Sequence, residues 1–346
     1  MRGKRLTDGV ARMVHLISCA RSAGIVGLWI AAAATAGSLQ AAQTVWKPDK
    51  PVELIVPDSP GGGQDRTVRV MQKILQDNSL VTTPINIVNK PGGNGNLAYT
   101  YLKQFNGDGH YLAIATATML TNHVLGLSPF SYSDFTPVAI LYGEYIGLAV
   151  NSTGTIRSLK DLIERLRKNP DSVSFAFGTS LGNANHIAIA LVAKAAGVDP
   201  RKLKVVIYKA SIDATTALMG GHVDVVSTPT STYAPIMATG KVRIIGIAAP
   251  QRIGGEFASV PTLKEQGVSA VVSGYRMLIA PKGCTADQIA FWDRALAQVA
   301  QTEAWKKELA ANDWENNYMN SADSRNFLDA RYAEYRKVLL ELGLAK

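Results

Sequence analysis

Short, nearly continuous apolar runs alternate with amphipathic stretches along almost the whole chain, and this alternation limits the possible folds more than any other feature. Val52–Val56, Tyr111–Ala115, Val173–Phe177, Val205–Tyr208, Val223–Ser227 and Arg243–Ala248 have the composition of strands. Their apolar residues are close to uninterrupted, as in parallel strands covered on both faces. The stretches between them follow a helical period. Val68, Met71, Ile74 and Leu75 share one helix face, away from Arg66, Arg69 and Lys73. Ser158 caps a helix over Leu159–Asn169, with Asp161 three residues on and Pro170 as the stop. Thr285 and Gln288 form a second capping box, and Leu328, Tyr335, Val338 and Leu342 stripe a final helix ended by Gly343. The alternation predicts an α/β architecture of open, mostly parallel sheets, whose ligands sit at the carboxyl ends of the strands. A chain of 346 residues is long enough for two cores. The extended apolar runs Ile146–Val150 and Tyr275–Pro281 are the expected crossings between them.

The N-terminus has the order of an export signal. Basic residues Arg2, Lys4, Arg5, Arg12 and Arg21 come first, then the apolar run Ile25–Ala36, then small residues and Ala41-Ala42. The apolar run is short for a membrane span. Met13 is an alternative start. Leu16-Ile17-Ser18-Cys19 resembles a lipoprotein box, but the apolar segment follows it instead of preceding it. A leader over residues 1–41 is expected. Its loss removes five basic residues and Asp8, lowering the formal charge from +9 to +5. That mild excess, without a dense Lys/Arg run, argues against a nucleic-acid partner and favours attraction of a small anion. Cys284 would be the one cysteine of the mature chain, leaving no internal disulfide.

Three glycine-bearing turns join strands to helices. In the first, Ser59, Pro60, Gly61, Gly62 and Gly63 follow a strand, and Asp65 falls in the first helical turn. Glycines let a ligand approach the backbone, and free N–H groups at a helix start attract an anion. Asp65 is placed to hold that loop by accepting its N–H groups. The second turn, Asn89–Asn96, contains a dinucleotide-like glycine pattern but lacks the acid expected some 20 residues on. No Lys-Ser/Thr follows either loop, so no phosphate loop and no cofactor is indicated. The third, Gly178-Thr179-Ser180-Leu181-Gly182, has the form of a hydrolase nucleophile elbow. Its partners fail, because His186 lies on the helix it opens and His222 precedes its strand, at the opposite end of the sheet. As a ligand loop it offers Ser180, Asn183 and Asn185. His186 reads chiefly as a packed helix residue, and Tyr208, at a strand end, as either a ligand contact or core. The histidines show no metal spacing.

These segments, in order, resemble the substrate-binding receptors of tripartite tricarboxylate transporters, the Bug family, from about Trp46 to Leu344. The resemblance is carried by Pro57–Asp65, Val88–Gly95, Asp108-Gly109-His110-Tyr111-Leu112, Gly178–His186, Tyr208-Lys209-Ala210, Gly221-His222-Val223-Asp224, Gly240-Lys241-Val242-Arg243 and Pro261-Thr262. Three positions depart from it: Asp58 where an aromatic is usual, Ala210 for a glycine, and Asn96 for the last glycine of the second motif. The resemblance implies a periplasmic, two-lobed, type II-like binding fold, each lobe a mostly parallel sheet flanked by helices. Residues 43–147 and 270–346 would form the first lobe and 148–269 the second. It also implies carboxylate capture by loop N–H groups and water without an arginine clamp, no catalysis, and integral membrane subunits as partners. Ser59–Gly63, Thr116 to Met119 (with Thr118) and Ser180–Asn185 would meet in the cleft. A monomer is expected. The alternatives are a receptor that feeds a sensor and a serine hydrolase using Ser180.

Overall fold

The computed structural model describes residues 46–345, so the leader expected over residues 1–41 lies outside them. The apolar runs form strands β1 (Val52–Val56), β2 (Ile85–Asn89), β3 (Tyr111–Thr116), β4 (Thr136–Asn151), β5 (Ser174–Gly178), β6 (Lys204–Tyr208), β7 (Val225–Pro229), β8 (Val242–Ile247) and β9 (Ser273–Ala280). The helices are α1 (Gly63–Asp77), α2 (Asn96–Leu102), α3 (Thr118–Val124), α4 (Leu159–Lys168), α5 (Ala184–Ala195), α6 (Ser211–Met219), α7 (Thr230–Met237), α8 (Ala286–Gln301), α9 (Glu303–Ala311) and α10 (Ser321–Glu341). Local signals set several boundaries. Ser158 Oγ accepts the Asp161 N–H at 3.1 Å to start α4. Thr285 and Gln288 exchange the two bonds of a capping box at α8. Gly343, at φ +68°, follows α10 in the left-handed conformation that glycine adopts without strain.

The strands make two sheets that share β4. In the first, β1 runs parallel to β2 and β3, and β9 lies antiparallel between β3 and β4. In the second, β5 runs parallel to β6 and β7, and β4 is antiparallel to β7 and β8. The first ten residues of β4, Thr136 to Tyr145, pair in the first sheet, and Ile146 to Asn151 pair in the second. Each lobe therefore has a parallel arm carrying strand-to-helix loops and an antiparallel centre. The centre departs from the mostly parallel arrangement that the apolar runs suggest, and Arg243–Ala248 supplies an antiparallel strand, β8. The cause is topological. The chain leaves the first lobe along β4 and returns along β9, so the outgoing and returning strands lie side by side in opposite directions.

Helices α1, α8 and α9 cover one face of the first sheet, where Trp292 and Trp305 are fully buried. Trp292 keeps its polar handle satisfied by donating to the Gly109 carbonyl at 2.8 Å. A second apolar cluster runs from the other face of that sheet into the second lobe, and a third covers the far face of the second sheet. Helix α10 spans both lobes. It packs along β4 and α3, and its last turns lie on α5, where Glu341 pairs with Lys194.

Candidate functional site

The loop after β1 is shaped by two carboxylates. Asp65 is fully buried and accepts the Gly61 N–H at 2.8 Å, Arg69 Nε at 2.8 Å and Nη2 at 3.1 Å, and Asn89 Nδ2 at 2.9 Å. The Arg69 hydrogen bond, with help from Gly61 and Asn89, outweighs burial and lowers its pKa to about 2. Asp58 accepts the Ser59 N–H at 2.9 Å and the Gln64 N–H at 3.4 Å. Its carboxylate lies so close over Gly62 that a Cβ there would fall 2.0 Å from Oδ2. The start of α1, an anion-attracting terminus by its dipole, thus has a protein carboxylate on it.

Four more strand-to-helix loops converge nearby. After β2, Gly95 adopts φ +92° with the Tyr99 ring 2.8 Å from where a Cβ would sit. After β3, the Thr116 and Thr118 hydroxyls bond each other at 2.6 Å. After β5, Asn183 caps α5 by accepting the His186 N–H at 3.0 Å, and its amide donates to the Gly178 carbonyl and the Thr179 hydroxyl, both at 2.8 Å. His186 Nδ1 accepts the Gly182 N–H at 3.0 Å, and the ring stacks on Phe177. Burial lowers the His186 pKa to about 4, so the ring is a neutral acceptor that braces the loop. The loop after β6 packs against the end of β5 so tightly that a Cβ on Gly178 would lie 2.3 Å from the Ser211 nitrogen.

The register of β9 brings in two charges. Arg276 stands opposite Thr116 of β3 and Tyr142 of β4, and Glu144 stands opposite Gly274. Two residues apart along the ladder, Glu144 and Arg276 share one face, and Arg276 Nη1 donates to Glu144 Oε1 at 3.2 Å. Gly274 leaves the room Glu144 needs, because a Cβ there would lie 3.3 Å from its Cγ and Oε1. Glu144 Oε2 accepts the Ser231 hydroxyl at 3.0 Å. Burial alone would lower the Arg276 pKa, but Tyr142 and Glu144 outweigh it and hold the guanidinium charged.

Together these elements enclose a cavity of about 480 Å³. Of the residues that the sequence singles out, Thr116, Thr118, Ser180, Asn183 and Asn185 line it. Ser59, Pro60, Gly61, Gly62 and Gly63 lie outside the lining, although their neighbours Pro57 and Gln64 belong to it. Asp65 and His186 are buried behind their loops, and Tyr208 packs against the apolar cluster of the second lobe. The sequence reading passed over Gln64, Tyr99, Glu144, Ser211, Tyr275 and Arg276, all of them lining residues. For Glu144 and Arg276 a signal existed: each is a lone charge inside an apolar strand run, and buried charges need partners. Arg276 also places a guanidinium in a cleft where the resemblance implied no arginine clamp. Four buried polar atoms of lining residues have no hydrogen-bond partner in the protein: Gln64 Oε1, Asn185 Oδ1, Tyr275 Oη and Arg276 Nε. Buried polar atoms are rarely left unpaired, and these four all belong to residues of the cavity wall.

A polar cavity between two lobes joined by crossing strands, and walled by strand-to-helix loops from both, defines a solute-binding protein of the periplasmic type. Residues 68–344 match the tripartite tricarboxylate transporter family receptor, and the chain belongs to that family. It is 29% identical over 325 residues to the UPF0065 protein in the gbd 5′ region of Cupriavidus necator, a match covering 92% of this chain and 96% of the relative. A crystal structure of a TctC solute binding protein from Polaromonas superposes with a TM-score of 0.75 at 23% identity, covering 85% of this chain and 99% of the other. An R. palustris protein solved with adipate superposes with a TM-score of 0.72 at 23% identity, covering 86% and 99%.

Proposed function

We propose that this protein is a periplasmic receptor that captures a small carboxylate-bearing solute by closure of its two lobes and hands it to the membrane subunits of a tripartite transporter, without chemistry on the solute. One observation carries the reading: the cavity is walled by strand-to-helix loops from both sheets, so a ligand contacts both lobes at once and stabilises the closed form. One lobe is built on the first sheet and the other on the second, with the chain crossing near Tyr145–Ile146 and Val272–Ser273, a few residues from the expected boundaries at 147/148 and 269/270, and Thr116, Thr118, Ser180 and Asn185 are among the contacts. Adipate in the R. palustris neighbour supports a carboxylate as guest. The receptor acts as a monomer, since both walls of the cavity come from one chain. Hydrolysis at Ser180 is disfavoured because the nearby imidazole, His186, commits Nδ1 to the Gly182 N–H.

The test is a thermal-shift screen of mono-, di- and tricarboxylates, followed by calorimetry on any hit. At least one acid raises the unfolding temperature. Ser180→Ala weakens it by no more than about tenfold, the worth of one hydrogen bond, and Ser180→Trp, which fills the cleft, abolishes it. No shift with any acid, or unchanged affinity in Ser180→Trp, rejects the reading. Turnover of generic esters that is lost in Ser180→Ala would establish the hydrolase instead.

A further inference from the structure

One side-chain bond spans the crossing between the lobes. Glu144 pairs with Gly274 in the first sheet, and from Ile146 onward β4 pairs in the second. Ser231 lies in the first turn of α7, just past β7 of the second sheet. Its hydroxyl donates to Glu144 Oε2 at 3.0 Å. Among the described residues, only the exposed Lys194–Glu341 pair on α10 also ties the lobes by a side-chain hydrogen bond.

Each end of the Glu144–Ser231 bond is fixed within its own lobe. Tyr233, two residues beyond Ser231 and fully buried, sets its hydroxyl against the Gly147 and Val226 carbonyls at 3.2 and 2.8 Å. Its ring lies 3.0 Å from where a Gly147 Cβ would sit, so the start of α7 moves with the second lobe. On the other side, Arg276 Nη1 holds Glu144 Oε1 at 3.2 Å, and its guanidinium stands 5.9 Å from the centre of the Tyr142 ring. The Tyr142 hydroxyl bonds Thr67 of α1 at 2.9 Å, so Glu144 moves with the first lobe. The Glu144 side chain is 7% exposed, which leaves water little chance to replace Ser231. A hydrogen bond to an ionised acceptor is also stronger than a neutral one. The hinge at Tyr145–Ile146 lies between the two anchors. A hydrogen bond is lost once its atoms part beyond about 3.5 Å, so opening at the hinge breaks this one early.

Resting on the receptor reading, we propose that Glu144 and Ser231 form a latch across the hinge, with Glu144 the positioning residue, which holds the lobes at the angle that sets both walls around the cavity. Ser231 is not part of the wall. The latch therefore acts on the fraction of molecules ready to bind, and through that fraction on apparent affinity.

Small-angle scattering on the purified full chain, with no solute added, tests the latch. Ser231→Ala and Ser231→Val shift the ratio of open to latched molecules about tenfold toward open, and the radius of gyration grows. Ser231→Thr, which has the shape of the valine variant but keeps a hydroxyl, retains the parent's radius. Gly274→Ala crowds Glu144 from β9, because the added Cβ would lie 3.3 Å from its Cγ and Oε1, and the radius grows here too. Melting temperatures stay close to the parent's, whereas a purely structural role would lower them and leave the radius alone. An unchanged or smaller radius in the alanine and valine variants, or a threonine variant as enlarged as the valine one, overturns the latch. Gly274→Ala decides alone if the variants at position 231 fail to fold. None of these results touches the receptor reading, which the carboxylate screen decides separately.

Discussion

Asp65, fully buried, accepts the backbone N–H of Gly61 and the side-chain N–H groups of Arg69 and Asn89, and so ties the loop, its own helix and the end of β2 to one carboxylate. An Asp65→Asn substitution keeps the shape but presents an NH₂ group toward partners that are themselves donors. At least one buried donor then loses its acceptor, at a cost of about 1–3 kcal/mol. Chemical denaturation should show the unfolding free energy falling by that amount, through a lower midpoint at unchanged slope, and a change under about 0.5 kcal/mol would show that the loop holds itself. Asp58 does a related job a few residues earlier. It neutralises the helix terminus that glycine-rich sequence advertises as an anion site. The same residue therefore acts as a structural cap on a turn that borders the cavity through Pro57 and Gln64.

Helix α5 carries a consequence at the scale of an element. Its first turn is fixed by Asn183 from one side and by the neutral His186 ring from the other. Above the ordinary histidine value of 6.5 the ring is neutral in folded and unfolded chains alike, and its titration leaves stability unchanged. As pH falls below 6.5 the unfolded chain takes up a proton that the buried ring refuses until about pH 4. Stability is lost through that window, at roughly 1.4 kcal/mol per pH unit and on the order of 3 kcal/mol in all. His186→Gln keeps an acceptor for Gly182 but cannot titrate. The melting temperature of the variant should fall less steeply than that of the parent between pH 6.5 and 4. Parallel curves would place the lost stability in the carboxylates instead.

For the molecule as a whole, the two lobes meet through β4, the return into β9 and the shared helix α10. The crossings lie near Tyr145–Ile146 and Val272–Ser273, where pairing passes from one sheet to the other. Helix α10 adds a third tie, since Leu339 stands 3.2 Å from where a Gly182 Cβ would sit and Glu341 holds Lys194. These ties predict that closure pivots about this helix, with the strand crossings as hinges. Small-angle scattering should show the radius of gyration decreasing when a bound acid is saturating. An unchanged radius at saturation would mean capture by a preformed cleft.

Much of this organisation was legible in the residues. The α/β alternation, the caps at Ser158 and Thr285, and the strand-to-helix position of the loops follow from patterns a few residues long, because helical period, strand composition and capping are local properties, although Ser59–Gly63, expected in the cleft, lies outside the cavity lining. Thr116, Thr118, Ser180, Asn183 and Asn185 follow in the same way, since they sit where strands hand over to helices. The pairing of Glu144 with Arg276 joins positions 132 apart in sequence and depends on the register of β9 against β4. Asp58 lies over Gly62 only because the loop folds back on itself under the hold of Asp65. The sequence alone determined the strand-to-helix loops from which part of the cavity wall is drawn. Which charges line that cavity was decided by tertiary structure, because electrostatics acts through space between groups that the chain order keeps far apart.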